Sequence, residues 1–496
     1  MEATGRDGGL GSWSYNYLGQ TRYTPYSSIN SSSSGTVSTG YTFTGSYLSS
    51  VSMEAALATP LGSYPGVIID EKKKHGVKSM VQEFFGVSSA DDSGYISALK
   101  KWFIELDVFW LIHAPDGISY AHAPSWIHAL HKITETIHLI EKLFPEISKN
   151  EARVSDEIQF AQFIQKTMLK MLAFVDFIVA SNSKAIMEEV MNWVPLSTLL
   201  SVRGALSRAL QKTWFPIHPP PSAKAKRIQR EIVNLLSAKE SKAGEAVWST
   251  LEEIRNRVLI SMEDGAQSCQ SDIHKATHSL MRYISFLRSH YSSVASVVSE
   301  AASLGKYVPQ IEDPFPLNSL IVEMVSCLEE KLVKMSGSFP DQGLGLLFLL
   351  NNSYFIRETL LSSFLLMNSS FIRASPQKYS SLDIHVAELF EKVQGYIESY
   401  LQVSWEPVLS CLPNPTHPRF WKRYSPLYKF ESQFQKTYNT QMLWKVPDPK
   451  LRKTLRTAIT EKIVPDYTKY IEDNNVTTPE LTPQKLEEML QELFEG

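Results

Sequence analysis

From Gly66 onward the chain repeats apolar residues at helical spacing almost without a break, and this regularity decides what it can fold into. Over Tyr95–His113 the residues Ile96, Leu99, Trp102, Phe103, Leu106, Phe109 and Trp110 follow the i, i+3, i+4, i+7 pattern of one helix face. Residues 153–181 and 184–213 read the same way, and Lys224–Leu236 predicts a shorter, basic helix. Proline-rich stretches at Pro216–Pro221, Pro314–Pro316 and Pro413–Pro418 punctuate the series. No stretch alternates with period two between hairpin turn residues, so strands are not expected. The fold class is all-α.

Residues 1–50 are different. Ser, Thr, Gly and Tyr dominate, including the run Ser31–Ser34. Such a segment cannot bury enough apolar surface to offset its ordering entropy, and it reads as a disordered leader. The remaining roughly 430 residues exceed what one core normally holds, and no tandem repeat suggests a regular solenoid. The expected architecture is an elongated rod of consecutive helical bundles. Its parts are a leader over 1–65, N-terminal bundles over 66–270, a middle bundle over 271–412 and a C-terminal bundle with a basic surface over 413–496.

The N-terminus lacks the basic region and apolar core of a secretory signal. The greasiest stretch, Leu344–Met367, is interrupted by Asn351, Asn352, Arg357 and Glu358, short of the ~18 consecutive apolar residues of a membrane span. Glu2 stands where myristoylation needs glycine, and no CaaX box ends the chain. The expectation is a cytoplasmic protein. The 3 cysteines, Cys269, Cys327 and Cys411, are far apart, which excludes a disulfide scaffold and CxxC-type zinc sites. A net charge of −3 argues against a bulk nucleic-acid binder.

Catalytic chemistry finds no foothold. His128, His131, Glu135 and His138 share a stripe of the helix predicted over Trp126–Leu143, and imidazoles with a carboxylate at that spacing can hold Zn²⁺. They flank a core stripe of Ile127, Leu130, Ile137 and Ile140, however, as ordinary boundary residues do, and no HExxH element is present. Gly343-Leu344-Gly345 has no preceding strand, third glycine or GK[ST] ending, so it marks a helix start instead of a phosphate loop. No GxSxG elbow occurs, and His274 and His417 near Cys269 and Cys411 do not make a dyad by proximity alone. No metal, cofactor or enzymatic activity is expected.

Charge segregation near the C-terminus is the informative feature. Arg419–Lys462 carries a net charge of +8, whereas residues 463–496 carry −6. A basic helix is delimited by Asp448 as N-cap, Pro449 at the first helical position, and Pro465, which discourages continuation. Leu451, Leu455 and Ile459 form its buried stripe, which leaves Lys450, Arg452, Lys453 and Arg456 directed outward. Four such cations near an anionic membrane contribute about 4 kcal/mol, corresponding to roughly millimolar binding. That suits a peripheral protein with a second contact, such as a phosphoinositide headgroup or a multisubunit complex. The alternative is that the two charged segments solvate the surface or pair with each other. The last helix, Pro483–Phe494, follows a Thr482 cap and buries Leu486, Met489, Leu490 and Leu493 as the closing element of a terminal bundle.

Several ordered blocks carry a resemblance. Ser425-Pro426-Leu427-Tyr428-Lys429-Phe430, Phe434, Gln441-Met442-Leu443-Trp444-Lys445-Val446-Pro447-Asp448, Leu451-Arg452 and Leu455-Arg456 resemble the seventy-kilodalton subunit family of the exocyst tethering complex. His274-Lys275-Ala276-Thr277 with Met281 and Tyr283 is similar to that family's His-x-x-Thr-x-x-x-Met-x-Tyr helix. Leu347 to Ile356 resembles its Leu-Phe-x-x-Asn-Asn-x-x-Tyr-Ile segment, with Phe355 where the family has tyrosine. The ending from Tyr467 to Asn474 and from Glu492 to Glu495 resembles the land-plant branch.

This resemblance implies a rod of helical bundles and non-enzymatic work: vesicle tethering at the plasma membrane in exocytosis, as a peripheral member of the exocyst complex. It implies binding of phosphatidylinositol 4,5-bisphosphate through basic C-terminal surfaces, contacts with other exocyst subunits, and a response to Rho-type GTPases. The leader and a short Glu71–Val87 helix stand where family members carry an extended helical segment. The resemblance therefore also implies a second reading, an exocyst-independent adaptor or decoy in plant immune or autophagic trafficking. The stretch Thr477-Thr478-Pro479-Glu480-Leu481 has no lysine where the animal form has lipid-binding ones. Lipid contact is then expected from Lys450, Arg452, Lys453, Arg456 and Lys462, or from Lys422 and Arg423.

Overall fold

The apolar stripes become helices whose ends are set by identifiable residues. The computed structural model describes residues 92–112, 118–147, 153–188, 193–213, 222–260, 271–367, 380–412 and 426–495, all within the unit Ile69–Gly496. The expected leader, the short helix at Glu71–Val87, and the proline runs at 216–221 and 413–418 lie outside the described residues.

The chain order is α1 (Asp92–Glu105), a 3-10 turn (Phe109–Leu111), a second (Tyr120–His122), α2 (Ala123–Ile147), α3 (Arg153–Glu188), α4 (Val194–Thr213) and α5 (Ala223–Ile260). Then follow α6 (Lys275–Ser289), α7 (Tyr291–Ser303), α8 (Pro316–Ser336), α9 (Gln342–Met367), α10 (Ser381–Ser404), α11 (Glu406–Leu409), α12 (Pro426–Gln441), α13 (Pro449–Asp473) and α14 (Pro483–Gln491). Among the described residues the sole strand-like feature is an isolated antiparallel bridge between Lys445 and Glu495. The chain is all-α, as its periodicity predicts.

Several helix boundaries differ from expectation, among them the end of the last helix, at Gln491 and not Phe494. The helix expected to reach His113 ends at Glu105, because Asp107 adopts φ 56° and turns the chain out of the helical region. Residues 184–188 extend α3 instead of opening the next helix. The short basic helix expected over 224–236 continues to Ile260. Its middle lacks large apolar residues because it packs on small ones: Ala243 is fully buried, and a Cβ on Gly244 would lie 3.1 Å from Arg203 Nε. Arg203 occupies that space and binds Glu240 at 2.8 Å and Glu300 at 2.9 Å, tying α4, α5 and α7 together.

Packing is mostly between helices one or two apart in the chain, with α2 on α4, α3 and α4 on α5, α9 on α10, and α13 on α14. Two apolar cores result. The first collects residues from Leu99 to Leu389, the second from Leu347 to Phe494. α9 belongs to both. Phe348, Leu349, Ile356 and Leu360 enter the first core, while Leu347, Leu350 and Tyr354 enter the second. A helix that is apolar on more than one face is one that packs on more than one side, which accounts for the greasiness of Leu344–Leu361. Among the described residues no helix is long and apolar enough to cross a membrane.

Candidate functional site

Three of the sequence blocks that resemble one family meet at a polar junction on α9. Asn351 and Asn352 are almost fully buried, so their amides need internal partners. Asn352 Oδ1 accepts from the backbone N–H of His274 at 2.9 Å and from Thr277 Oγ1 at 2.7 Å. Its Nδ2 donates to the Phe348 carbonyl at 2.8 Å. Asn351 Nδ2 donates to the carbonyls of Ser271 at 2.6 Å and Lys445 at 3.0 Å. Ser271 Oγ donates to the Lys445 carbonyl at 2.8 Å and accepts from the Lys445 N–H at 3.0 Å. The His-x-x-Thr helix, the Asn-Asn pair and the Trp-Lys-Val segment are thus one structure, not three.

Gly343 lies at the N-terminal end of the same helix. A Cβ there would lie 2.5 Å from Ser404 Oγ and 3.3 Å from Trp444, so the glycine admits a close approach at the start of α9, as its reading as a helix start predicts.

The basic helix begins as expected. Asp448 caps α13 by accepting from the N–H groups of Lys450 at 2.8 Å and Leu451 at 3.0 Å, and Pro449 holds the first helical position. Leu451, Leu455 and Ile459 are buried. Pro465 does not end the helix, which runs on to Asp473. The missing N–H and the ring clash of an internal proline cost about 3 kcal/mol. Burial of Ile463 and Tyr467 on either side offsets this, and Pro465 itself faces outward.

The outward direction expected for all four cations holds for Lys450 and Lys453, which are exposed, and fails for Arg452 and Arg456. Their side chains are only 20% and 15% exposed. Arg452 Nε donates to the Val446 carbonyl at 3.0 Å, and its Nη1 donates to Glu495. Arg456 Nε donates to the Leu493 carbonyl at 2.9 Å, and its Nη2 reaches Glu495 Oε1 at 2.7 Å. The two guanidiniums hold the C-terminal segment, whose Leu493 and Phe494 are fully buried and whose Phe494 carbonyl accepts from Val446 N at 3.1 Å. The hydrogen bonds from Arg456 and Arg452 keep the Glu495 carboxyl below its ordinary range. Helical spacing shows the phase of α13 but gives no sign of this partner, which lies 39 residues from Arg456.

Lys462 is 32% exposed and pairs with Glu406 at 2.8 Å. Lys445 lies 3.4 Å from Asp272. Lys422 and Arg423 lie outside the described residues. Among the described residues, Lys450 and Lys453 meet no carboxylate in an ion pair. They are the two exposed cations in the first turn and a half of α13. Tyr438, on α12, donates to Glu492 at 2.8 Å. Burial first, and then that carboxylate, push its hydroxyl up to about 12, so it stays a donor.

The histidine stripe of α2 sits where its boundary reading puts it. Ile127, Leu130 and Ile137 are buried, while His131 lies 3.6 Å from Glu135 and 3.2 Å from Lys212 Nζ. Desolvation and the Lys212 charge lower the His131 pKa. An ammonium beside the imidazole also works against a cation at that place. Among the described residues no group of three or more His, Cys, Asp or Glu could hold a metal ion.

The family model for the C-terminal part of the Exo70 exocyst complex subunit matches residues 124–492, from the start of α2 to the end of α14. The chain is 26% identical over 243 residues to exocyst complex component EXO70A3 of Arabidopsis thaliana, covering 45% of this chain and 38% of that protein. It is 23% identical over 248 residues to EXO70A1 of the same plant, covering 45% and 36%. EXO70E2 is 26% identical over 237 residues, covering 45% and 34%. The matched stretch therefore spans little more than a third of the length of these curated relatives.

Among solved structures, the S. cerevisiae exocyst component Exo70p aligns with a TM-score of 0.47 at 12% identity, over 89% of this chain and 83% of that one. A structure of Exo70p described together with the Exo84p C-terminal domains gives 0.36 at 12% identity, over 85% and 98%. With its family model matched across most of the described helices, the chain belongs to the Exo70 family of exocyst subunits, in its plant branch.

Proposed function

We propose that the chain acts as an exocyst subunit that helps tether secretory vesicles to the plasma membrane, without catalysis of its own. The observation that carries this reading is the family match across residues 124–492, which includes the junction at Asn351 and Asn352. The partners that follow are other exocyst subunits, a Rho-type GTPase and a membrane rich in phosphatidylinositol 4,5-bisphosphate. The exposure of Lys450 and Lys453 supports a membrane contact at the start of α13.

The magnitudes limit what those residues can do. Two lysines near an anionic surface contribute about 2 kcal/mol, less than millimolar binding requires. Membrane residence then depends on a polyvalent headgroup, on Lys422 and Arg423 in the segment 413–425, or on protein contacts acting at the same time.

The test is affinity capture of the tagged full-length chain with core exocyst subunits quantified by mass spectrometry. Near-stoichiometric recovery supports the tether. Loss of the core subunits with a different partner enriched overturns it in favour of an exocyst-independent adaptor. Sedimentation with vesicles containing phosphatidylinositol 4,5-bisphosphate, set against phosphatidylcholine vesicles, tests the lipid contact separately.

A further inference from the structure

A cleft of about 970 Å³ lies between α8, α10 and the connection leading into α8, away from the basic helix and its C-terminal partners. That volume lies in the range typical of ligand sites. Its floor is apolar, formed by Ile311, Val322 and Ile384, and its charged lining is acidic, with Glu312, Asp313 and Glu388. Among the described residues, neither lysine nor arginine lines it.

The three carboxylates are not equivalent. Asp313 is committed to the fold, because its Oδ2 accepts from Ser381 N at 2.6 Å and from Ser381 Oγ at 2.6 Å. Its Oδ1 accepts from Phe315 N at 2.7 Å. Glu312 is exposed, and Glu388 is 57% exposed, 3.4 Å from His385 Nδ1. His385 is itself buried, with its Nε2 3.3 Å from Glu329, and Glu329 also receives Lys392 at 3.1 Å. The wall behind Glu388 is therefore fixed by the buried His385 and the largely buried Glu329, while Glu312 and Glu388 face solvent.

Part of this apolar lining is open to solvent, with Ile384 53% exposed. An aliphatic floor beside two available carboxylates repels phosphate and anionic headgroups and favours a cation carried on an apolar stem. We propose that this cleft receives a short basic and aliphatic segment of a partner protein, seating a leucine-sized side chain on Ile311, Val322 and Ile384 and a lysine or arginine against Glu312 or Glu388. The inference stands apart from the membrane reading, since the two surfaces have opposite charge.

The test uses the full-length chain and a fluorescein-labelled probe peptide, acetyl-Arg-Lys-Leu-Leu-Arg-Lys-amide, followed by fluorescence anisotropy at two salt concentrations. The expected result is saturable binding that weakens about tenfold in Glu388→Lys, through replaced attraction by repulsion, and by a similar factor in Ile384→Ser, through lost apolar contact. Glu312→Lys provides a charge reversal that does not touch His385, and thermal melts establish that each variant folds. A peptide with serine for both leucines should bind more weakly than the probe. Absence of binding overturns the proposal, as does binding that all three substitutions leave unchanged. A dimer of the free chain that Ile384→Ser dissolves would assign the cleft to a second copy and overturn it as well.

Discussion

Glu495 lies 2.7 Å from Arg456 Nη2 although the two residues are 39 positions apart, and the same carboxylate also receives Arg452. The negative end of the chain thus neutralises part of its positive helix, and the segregation of charge visible in the sequence becomes an internal pairing. The pairing holds Leu493 and Phe494 in the second core, where both are fully buried.

Replacing Glu495 with Gln should lower stability at neutral pH and leave it unchanged in strong acid. The carboxyl is held below its ordinary value of 4.5, so its contribution is fully present above that value and disappears as pH falls through the lower, folded-state value. Denaturation midpoints of wild type and Glu495→Gln, measured from pH 7 down to pH 3, should converge at the acid end. A gap that stays constant with pH would show that the pairing contributes nothing through charge. Because Glu495 is exposed, the neutral-pH difference should also shrink in high salt.

Asn352→Leu should destabilise the chain by about 3 kcal/mol, through buried donors left without an acceptor. The substitution strands the Thr277 hydroxyl and the His274 N–H. In urea the midpoint should move with an unchanged slope, as for a loss of stability without a change in compactness. A shift within error of zero would mean that the junction is rebuilt by other groups.

Two glycines predict opposite outcomes. Gly343→Ala would place a Cβ 2.5 Å from Ser404 Oγ and 3.3 Å from Trp444, and overpacking of this kind costs about 1–3 kcal/mol. At Gly395, inside α10, a Cβ would meet nothing within 4 Å, so Gly395→Ala should stabilise by about 0.5–1 kcal/mol. Differential scanning calorimetry of the pair reads both signs in one comparison.

The helices were legible because their burial is periodic. Leu451, Leu455 and Ile459 read as one stripe and are one stripe, and Asp448 and Thr482 read as caps and accept the N–H groups expected of them. The length of α5 was not legible, since Ala243 and Gly244 pack through smallness and carry little hydrophobic signal. The continuation of α13 through Pro465 was hidden for a different reason, that tertiary burial outweighs a local penalty. For the basic surface, helical phase placed Arg452 and Arg456 beside the stripe. It could not show that Leu493, Val446 and Glu495 fold back to meet them, because that contact is long-range. The motif blocks carried more than their spacing revealed, since two stretches distant in the chain, 271–277 and the segment at Lys445, close on the two asparagines.

The cations of α13 separate into two pairs with different expected behaviour. Lys450 and Lys453 are exposed, so Lys450→Glu with Lys453→Glu should reduce sedimentation with phosphatidylinositol 4,5-bisphosphate vesicles while changing the melting temperature little, as surface substitutions do. At about 1 kcal/mol for each cation removed, and a comparable repulsion for each anion introduced, binding should fall by roughly a thousandfold. Arg456→Ala should do the reverse. It leaves the exposed lysines in place but strands the Leu493 carbonyl and frees Glu495, and the loss of a charge-assisted hydrogen bond costs about 1.5–3 kcal/mol. The decisive measurement is vesicle sedimentation and thermal denaturation on the same protein preparations. If the lysine pair lowers stability and the arginine lowers only lipid binding, the division of labour drawn from their exposure is wrong.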